Sequence, residues 1–97
     1  MEGPHPAVVV SSDRLNRPVG TVLVCSMTSR IRHDPDEYLP PYLVAAPRQA
    51  SGLDRDGYVK ADRVFTLRAD LLGARIGRLN PEATSRLDAA LRFVLAL

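Results

Sequence analysis

Apolar and polar positions alternate along most of this chain in short blocks, and only its last segment carries a helical period. Ala7 to Ser11 is a run of β-branched residues, too short for a helix and apolar enough for a buried strand. Thr21 to Thr28 predicts a second strand, with Val22, Val24 and Ser26 on one face and Thr21, Leu23, Cys25 and Met27 on the other. Between them, Asp13, Asn16, Pro18 and Gly20 are turn-formers, so Ser12 to Gly20 reads as a connecting loop and the two strands as an antiparallel pair. A polar, proline-containing loop covers Arg32 to Pro41, and Tyr42 to Ala46 predicts a third strand. Pro47 to Asp56 reads as loop; Tyr58 to Leu67 has the alternation of a strand interrupted near Asp62 and Arg63. Arg68 to Gly73 fits one or two helical turns, and Arg75 to Leu79 a last strand.

From Asn80 onward the pattern changes. Asn80 suits an N-cap, Pro81 the first helical position, and Glu82 the positive end of the helix dipole. Ala83, Leu87, Ala90, Leu91, Val94 and Leu95 then form one apolar stripe, which predicts a helix lying on the sheet. Many short strands closed by an amphipathic helix point to a mainly β fold with a C-terminal helix, a small and mostly antiparallel β-barrel.

Ninety-seven residues allow one domain, 1–97, with a modest core, so a compact barrel or an oligomer is expected rather than a large enzyme core. The hydrophobic share of 45% and charged share of 25% are ordinary globular values and exclude disorder. Thirteen Lys and Arg against eleven Asp and Glu leave a net charge of +2, which announces nucleic-acid binding only if the cations cluster. Cys25 is the only cysteine, so no internal disulfide forms, and its place in an apolar strand reads as a buried thiol. No apolar run approaches a membrane span, and the N-terminus lacks a secretory pattern; a cytoplasmic protein without membrane partners is expected. His5 and His33 are too far apart to begin a metal site, and no Gly-rich phosphate loop or nucleophile elbow occurs, so neither metal nor cofactor is expected.

The chemistry sits at a strand end. Thr28, Ser29 and Arg30 place two hydroxyls and a guanidinium where a buried strand meets solvent, a grip on a phosphate. Cleaving RNA with its own 2′-hydroxyl needs a base for that proton, an acid for the leaving oxygen, and donors for the phosphoryl charge. His5 can exchange a proton near neutrality. It stands at the entry of the first strand, and antiparallel pairing would bring it beside Thr28.

Pro6-Ala-Val-Val-Val-Ser-Ser-Asp-Arg-Leu-Asn16 followed by Thr21-Val-Leu-Val-Cys-Ser-Met-Thr-Ser-Arg30 resembles the MazF/PemK (Kid-like) toxin endoribonucleases. Gly57-Tyr-Val-Lys-Ala-Asp-Arg-Val-Phe-Thr-Leu67 and Arg75-Ile-Gly-Arg-Leu-Asn-Pro-Glu82 are similar to later blocks of the same family, in the same order. The resemblance implies an SH3-like barrel, a homodimer, and metal-independent, sequence-selective cleavage of single-stranded RNA such as mRNA. It also implies a cognate antitoxin that blocks the site. The family's catalytic threonine falls on Thr28 and its catalytic arginine on His5, a departure, since imidazole loses its charge near neutrality and guanidinium does not. RNA contacts are expected from Ser29, Arg30, Arg32, Asp62 and Arg63. Only Met1 to His5 precede Pro6, whereas the family begins with a strand and a Gly-Ser-Glu-containing loop, so the sequence reads as short of both. Two alternatives follow: a degenerate toxin that binds antitoxin or RNA without efficient cleavage, and a gyrase-directed toxin on the same barrel.

Overall fold

The structure, a computed structural model, describes residues 5–31 and 38–97. Strand β1 (Ala7–Val9) leads through helix α1 (Asp13–Val19) into β2 (Thr21–Thr28). Strand β3 (Leu43–Ala46), the single turn α2 (Arg48–Ser51), the long strand β4 (Gly57–Arg68), a 3₁₀ turn at Ala69–Leu71 and helix α3 (Pro81–Leu95) follow. The four strands form one antiparallel sheet in the order β1-β2-β4-β3, curled into a half-barrel with α3 packed on β3 and β4. The expected mainly β fold with its C-terminal helix is thus observed.

Three segments differ from the sequence reading. Ser12 to Gly20 is not an open loop, because its turn-formers cap a helix. The Ser12 hydroxyl accepts from the Arg14 amide at 3.0 Å, and Asp13 occupies the first turn. Gly20 closes the helix at φ +74°, its amide donating to the Asn16 carbonyl. Pro47 to Asp56 likewise contains a turn of helix, where the Asp56 carboxylate accepts from the Arg48 amide at 2.9 Å. Arg75 to Leu79 forms no strand: it finds no neighbouring strand and lies instead against α2, with the Asn80 amide donating to the Ala50 carbonyl at 2.7 Å.

The strand is not interrupted near Asp62 and Arg63 as expected: β4 runs unbroken from Gly57 to Arg68, and only its register with β2 shifts there. Cys25 pairs with Val64 and Met27 with Val59, so two steps along β2 oppose five along β4. Such a bulge bends the strand and sharpens its twist. It lets one strand serve both halves of the curled sheet: Gly57 to Lys60 also pair with β3, while Val64 to Arg68 pair only with β2.

The core joins Cys25, Val44, Ala46, Val59 and Ala61 from the sheet to Leu87 and Ala90 from α3. Three alanines at this contact bring the helix backbone close to the sheet. The predicted stripe holds for Ala83, Leu87 and Ala90, which are buried, and for Leu91 and Val94, which flank the core, but Leu95 is 56% exposed at the frayed end. On β2, Val22, Val24 and Cys25 are all buried, so this central strand is covered on both faces rather than one. Cys25 is the buried thiol expected. Burial pushes its pKa above the ordinary thiol value, and the nearby Asp62 carboxylate pushes it further, which suits packing and not nucleophilic attack.

Candidate active site

Antiparallel pairing of β1 and β2 matches Ala7 with Ser26, Val8 with Cys25 and Val9 with Val24. His5 and Thr28 each lie two residues beyond the last of these pairs, at the same end of the strand pair. His5 is exposed and Thr28 half-buried, so one side chain reaches solvent while the other is anchored by the sheet. On its other side Thr28 pairs with Tyr58 of β4. The outlet of β2 is therefore held by β4, whereas β1 pairs with β2 only as far as Ser26.

Two local features fix the Thr28 hydroxyl. The Thr28 Oγ1 accepts from the Arg30 amide at 3.2 Å, a side-chain turn that swings the chain out of the strand and exposes Ser29 and Arg30. The hydroxyl hydrogen stays available for an incoming acceptor. Opposite it, Gly57 allows the backbones to meet closely: a Cβ there would stand 2.9 Å from the Thr28 carbonyl oxygen. Thr28, Ser29 and Arg30 thus lie at one outlet, with His5 at the same end of the β1–β2 pair. Arg32 lies outside the described residues.

Asp62 and Arg63 fall elsewhere, at the register break of β4. They line a separate depression of about 230 Å³ with Ile31, Tyr42, Leu43 and Lys60. The chain running out of the Thr28 turn, through Arg30 to Ile31, connects the two places. Sequence reasoning missed Tyr42, Tyr58 and Lys60 as neighbours of the site. The signal was present in β4, where Tyr58, Lys60 and Asp62 alternate with the buried Val59 and Ala61, a polar row on the sheet face away from α3.

A larger trough of about 850 Å³ opens on the far side of β1, between that strand, Leu72 to Leu79 and α3. His5 stands at its rim, and Val8, Val10, Leu79, Leu87 and Leu91 make much of its wall apolar.

Comparison with known proteins adds three findings. The family model described as "PemK-like, MazF-like toxin of type II toxin-antitoxin system" matches residues 1–95. The Mycobacterium tuberculosis endoribonuclease MazF9 is 31% identical over 98 residues, covering 96% of this chain and 79% of that protein. The Mycobacterium bovis endoribonuclease MazF1 is 28% identical over 95 residues, covering 98% and 82%. Among solved structures, an endoribonuclease in complex with its cognate antitoxin from a mycobacterial species superposes with a TM-score of 0.83 at 30% identity, covering 98% of this chain and 84% of that one. A MazE–MazF structure from Deinococcus radiodurans, at 22% identity and a TM-score of 0.74 over 95% and 85% of the two chains, shares the fold.

Proposed function

The chain belongs to the PemK-like, MazF-like toxin family of type II toxin–antitoxin systems, and on that footing we propose that it is an endoribonuclease cleaving single-stranded RNA, mRNA included, at the outlet of β2. The observation that carries the proposal is the antiparallel register of β1 on β2, which leaves His5 and Thr28 two residues beyond the last pair at the same end, with Ser29 and Arg30 exposed there. In this reading the RNA 2′-oxygen attacks the adjacent phosphorus as the bond to the 5′-oxygen breaks, leaving a cyclic phosphate and a free 5′-hydroxyl. The His5 imidazole takes the 2′-hydroxyl proton, and solvent water supplies the proton that the departing 5′-oxygen takes up. The Thr28 hydroxyl donates to a non-bridging oxygen, and Arg30 offsets the negative charge that builds there. Arg63 extends the cationic surface along the RNA, with Ser29 and Asp62 as polar contacts and Arg32, outside the described residues, as a further proposed RNA contact.

A cognate antitoxin is the expected protein partner, as in the mycobacterial complex. A second copy of the chain is the other: Val9 and Phe65 flank Val24 on one row of the sheet and are 44% and 51% exposed, an apolar surface that a symmetric twin would cover. Among the described residues no helix is long and apolar enough to cross a membrane, and the proposed substrate places the protein's action in the cytoplasm. The relatives reported above are named endoribonucleases, which favours RNA over gyrase as the target.

The deciding experiment incubates the purified chain with mixed-sequence RNA in the presence of EDTA. Discrete fragments ending in cyclic phosphate are expected from the wild type, with about a 100-fold loss for Thr28→Val, which removes one donor at nearly constant volume. Intact RNA after incubation with a folded wild-type protein would overturn the reading.

A further inference from the structure

We propose that Ser11 and Asn16 form a polar clamp that selects the register of β1 on β2, and that they are positioning residues for RNA cleavage. From the opposite end of the strand pair they hold His5 in place relative to Thr28. The inference rests on the endoribonuclease reading above, with His5 as the base.

The clamp is built where the ladder ends. Val10 donates its amide to the Leu23 carbonyl at 2.9 Å, and a regular antiparallel pair would return a bond from the Leu23 amide to the Val10 carbonyl. Here the Leu23 amide donates to the Ser11 Oγ at 2.9 Å. With its oxygen accepting from that amide, the hydroxyl turns its single hydrogen to the Asn16 Oδ1, and the Asn16 Nδ2 donates back to the Ser11 carbonyl at 3.3 Å. This contact also seats helix α1. None of the helix residues is buried, and Asn16 is the one residue from Ser12 to Gly20 that is not exposed. A side-chain amide, acting through Ser11 on Leu23, therefore ties to the sheet a helix that buries no apolar residue.

The sequence of β1 shows why such a device is needed. The strand has three residues, Ala7–Val9, so few ladder bonds define its register. A slip by one residue would turn Val8 and Val10 away from the core they pack against, and burial forbids it. A slip by two keeps every side chain on its face and, in this valine run, replaces one core-packed valine by the other. Apolar burial does not separate those two registers. The Ser11 hydroxyl does, because at the observed register it meets the Leu23 amide and the Asn16 side chain together, and a two-residue slip carries it past Leu23. That slip is about 7 Å along the strand. It would shift His5 by as much relative to Thr28, whereas a general base must lie within about 3 Å of the group whose proton it takes.

The test measures register and rate separately. Ala7 with Ser26 and Val9 with Val24 are the pairs that do not exchange hydrogen bonds; their Cα atoms stand about 4.5 Å apart, so Hα–Hα contacts in NMR spectra report the register. Ser11→Ala and Asn16→Ala are each expected to weaken both contacts and lower kcat by about tenfold, with KM changed by less than about twofold, because Thr28, Ser29 and Arg30 stay in place on β2. Ser11→Thr, which keeps the hydroxyl, should preserve the contacts and kcat. Asn80→Ala, which removes the N-cap of α3, controls for lost stability and should keep wild-type kcat at a temperature where every variant is folded. Unchanged contacts in folded Ser11→Ala and Asn16→Ala, lost contacts with wild-type kcat, or an equal fall of kcat in Asn80→Ala each overturn the proposal. If the alanine variants do not fold, amide exchange in the wild type decides: the Leu23 amide should be protected as strongly as that of Val10, and an unprotected Leu23 amide overturns the clamp. A wild type that cuts no RNA overturns the endoribonuclease reading, and the Hα–Hα contacts then decide the clamp by themselves.

Discussion

Adding one methyl group at Gly57 tests whether the close approach of β4 to the end of β2 is what positions Thr28. A Cβ at this residue would stand 2.9 Å from the Thr28 carbonyl oxygen and 3.6 Å from its carbonyl carbon, where ordinary contact begins near 3.4 Å. The obstacle is backbone, so no rotamer change relieves it. Nor can β4 step away, because Gly57 also pairs with Ala46 of β3 on its other side. The two strands must separate by about 0.5 Å at Thr28, and overpacking of this kind costs about 1–3 kcal/mol. For a chain of this size that is a fall of about 10 °C in Tm. Since a misplacement of about 1 Å in a reacting group can cost about 100-fold in rate, Gly57→Ala should also slow RNA cleavage by about tenfold beyond its effect on the folded fraction. Urea denaturation gives the first quantity, and initial rates at a temperature where both proteins are folded give the second. Gly73→Ala is the control: nothing lies within 4 Å of its added Cβ and its φ is not left-handed, so it should be neutral or stabilising by a few tenths of a kcal/mol. A Gly57→Ala protein as stable and as active as wild type would refute the argument that this contact sets the site.

Three further outcomes are expected. Leu87→Ala removes the largest side chain that α3 contributes to the buried cluster and should cost about 2–5 kcal/mol in urea unfolding, whereas Leu95→Ala, at the exposed end of the same helix, should cost far less. The raised pKa of Cys25 sets a pH dependence: above about 8.5 the unfolded thiol loses its proton while the folded one retains it, so the native state binds more protons and stability falls as pH rises. The urea midpoint should therefore decline from pH 8 to 10, and Cys25→Ala should flatten that decline. His5→Ala and His5→Arg should each abolish most cleavage, because neither a methyl nor a permanently charged guanidinium accepts a proton near neutrality; full activity in either variant, read from initial rates, would remove His5 as the base.

Local chemistry carried much of this fold in plain view. Asn80, Pro81 and the Ala83–Leu87–Ala90 stripe specify α3 through capping, a fixed φ and helical spacing, and the structure begins that helix where those residues place it, the Asn80 side chain accepting from the Ala83 amide at 2.8 Å. Strand β2 was equally legible from its apolar run. Ser12 to Gly20 was misread because the same residues serve turns and helix caps, and only the partners they find choose between them. The Arg75 to Leu79 segment failed for the complementary reason: extended, apolar-leaning sequence becomes a strand only beside an unpaired edge, and here α2 was nearer.

Composition, spacing and alternation by themselves determined the mainly β class, the closing helix, the buried thiol and the strand-end grouping of Thr28, Ser29 and Arg30, because each depends on residues close together in the chain. The tertiary structure alone decided the register of β1 on β2, the tight passage of Gly57 over the Thr28 carbonyl, and the register break of β4 near the hollow lined by Tyr42, Lys60, Asp62 and Arg63. Those are pairings between residues tens of positions apart. A one-residue slip in any of them would turn every side chain of the strand to the opposite face, and no local propensity fixes them: they follow from burying both faces of β2 at once.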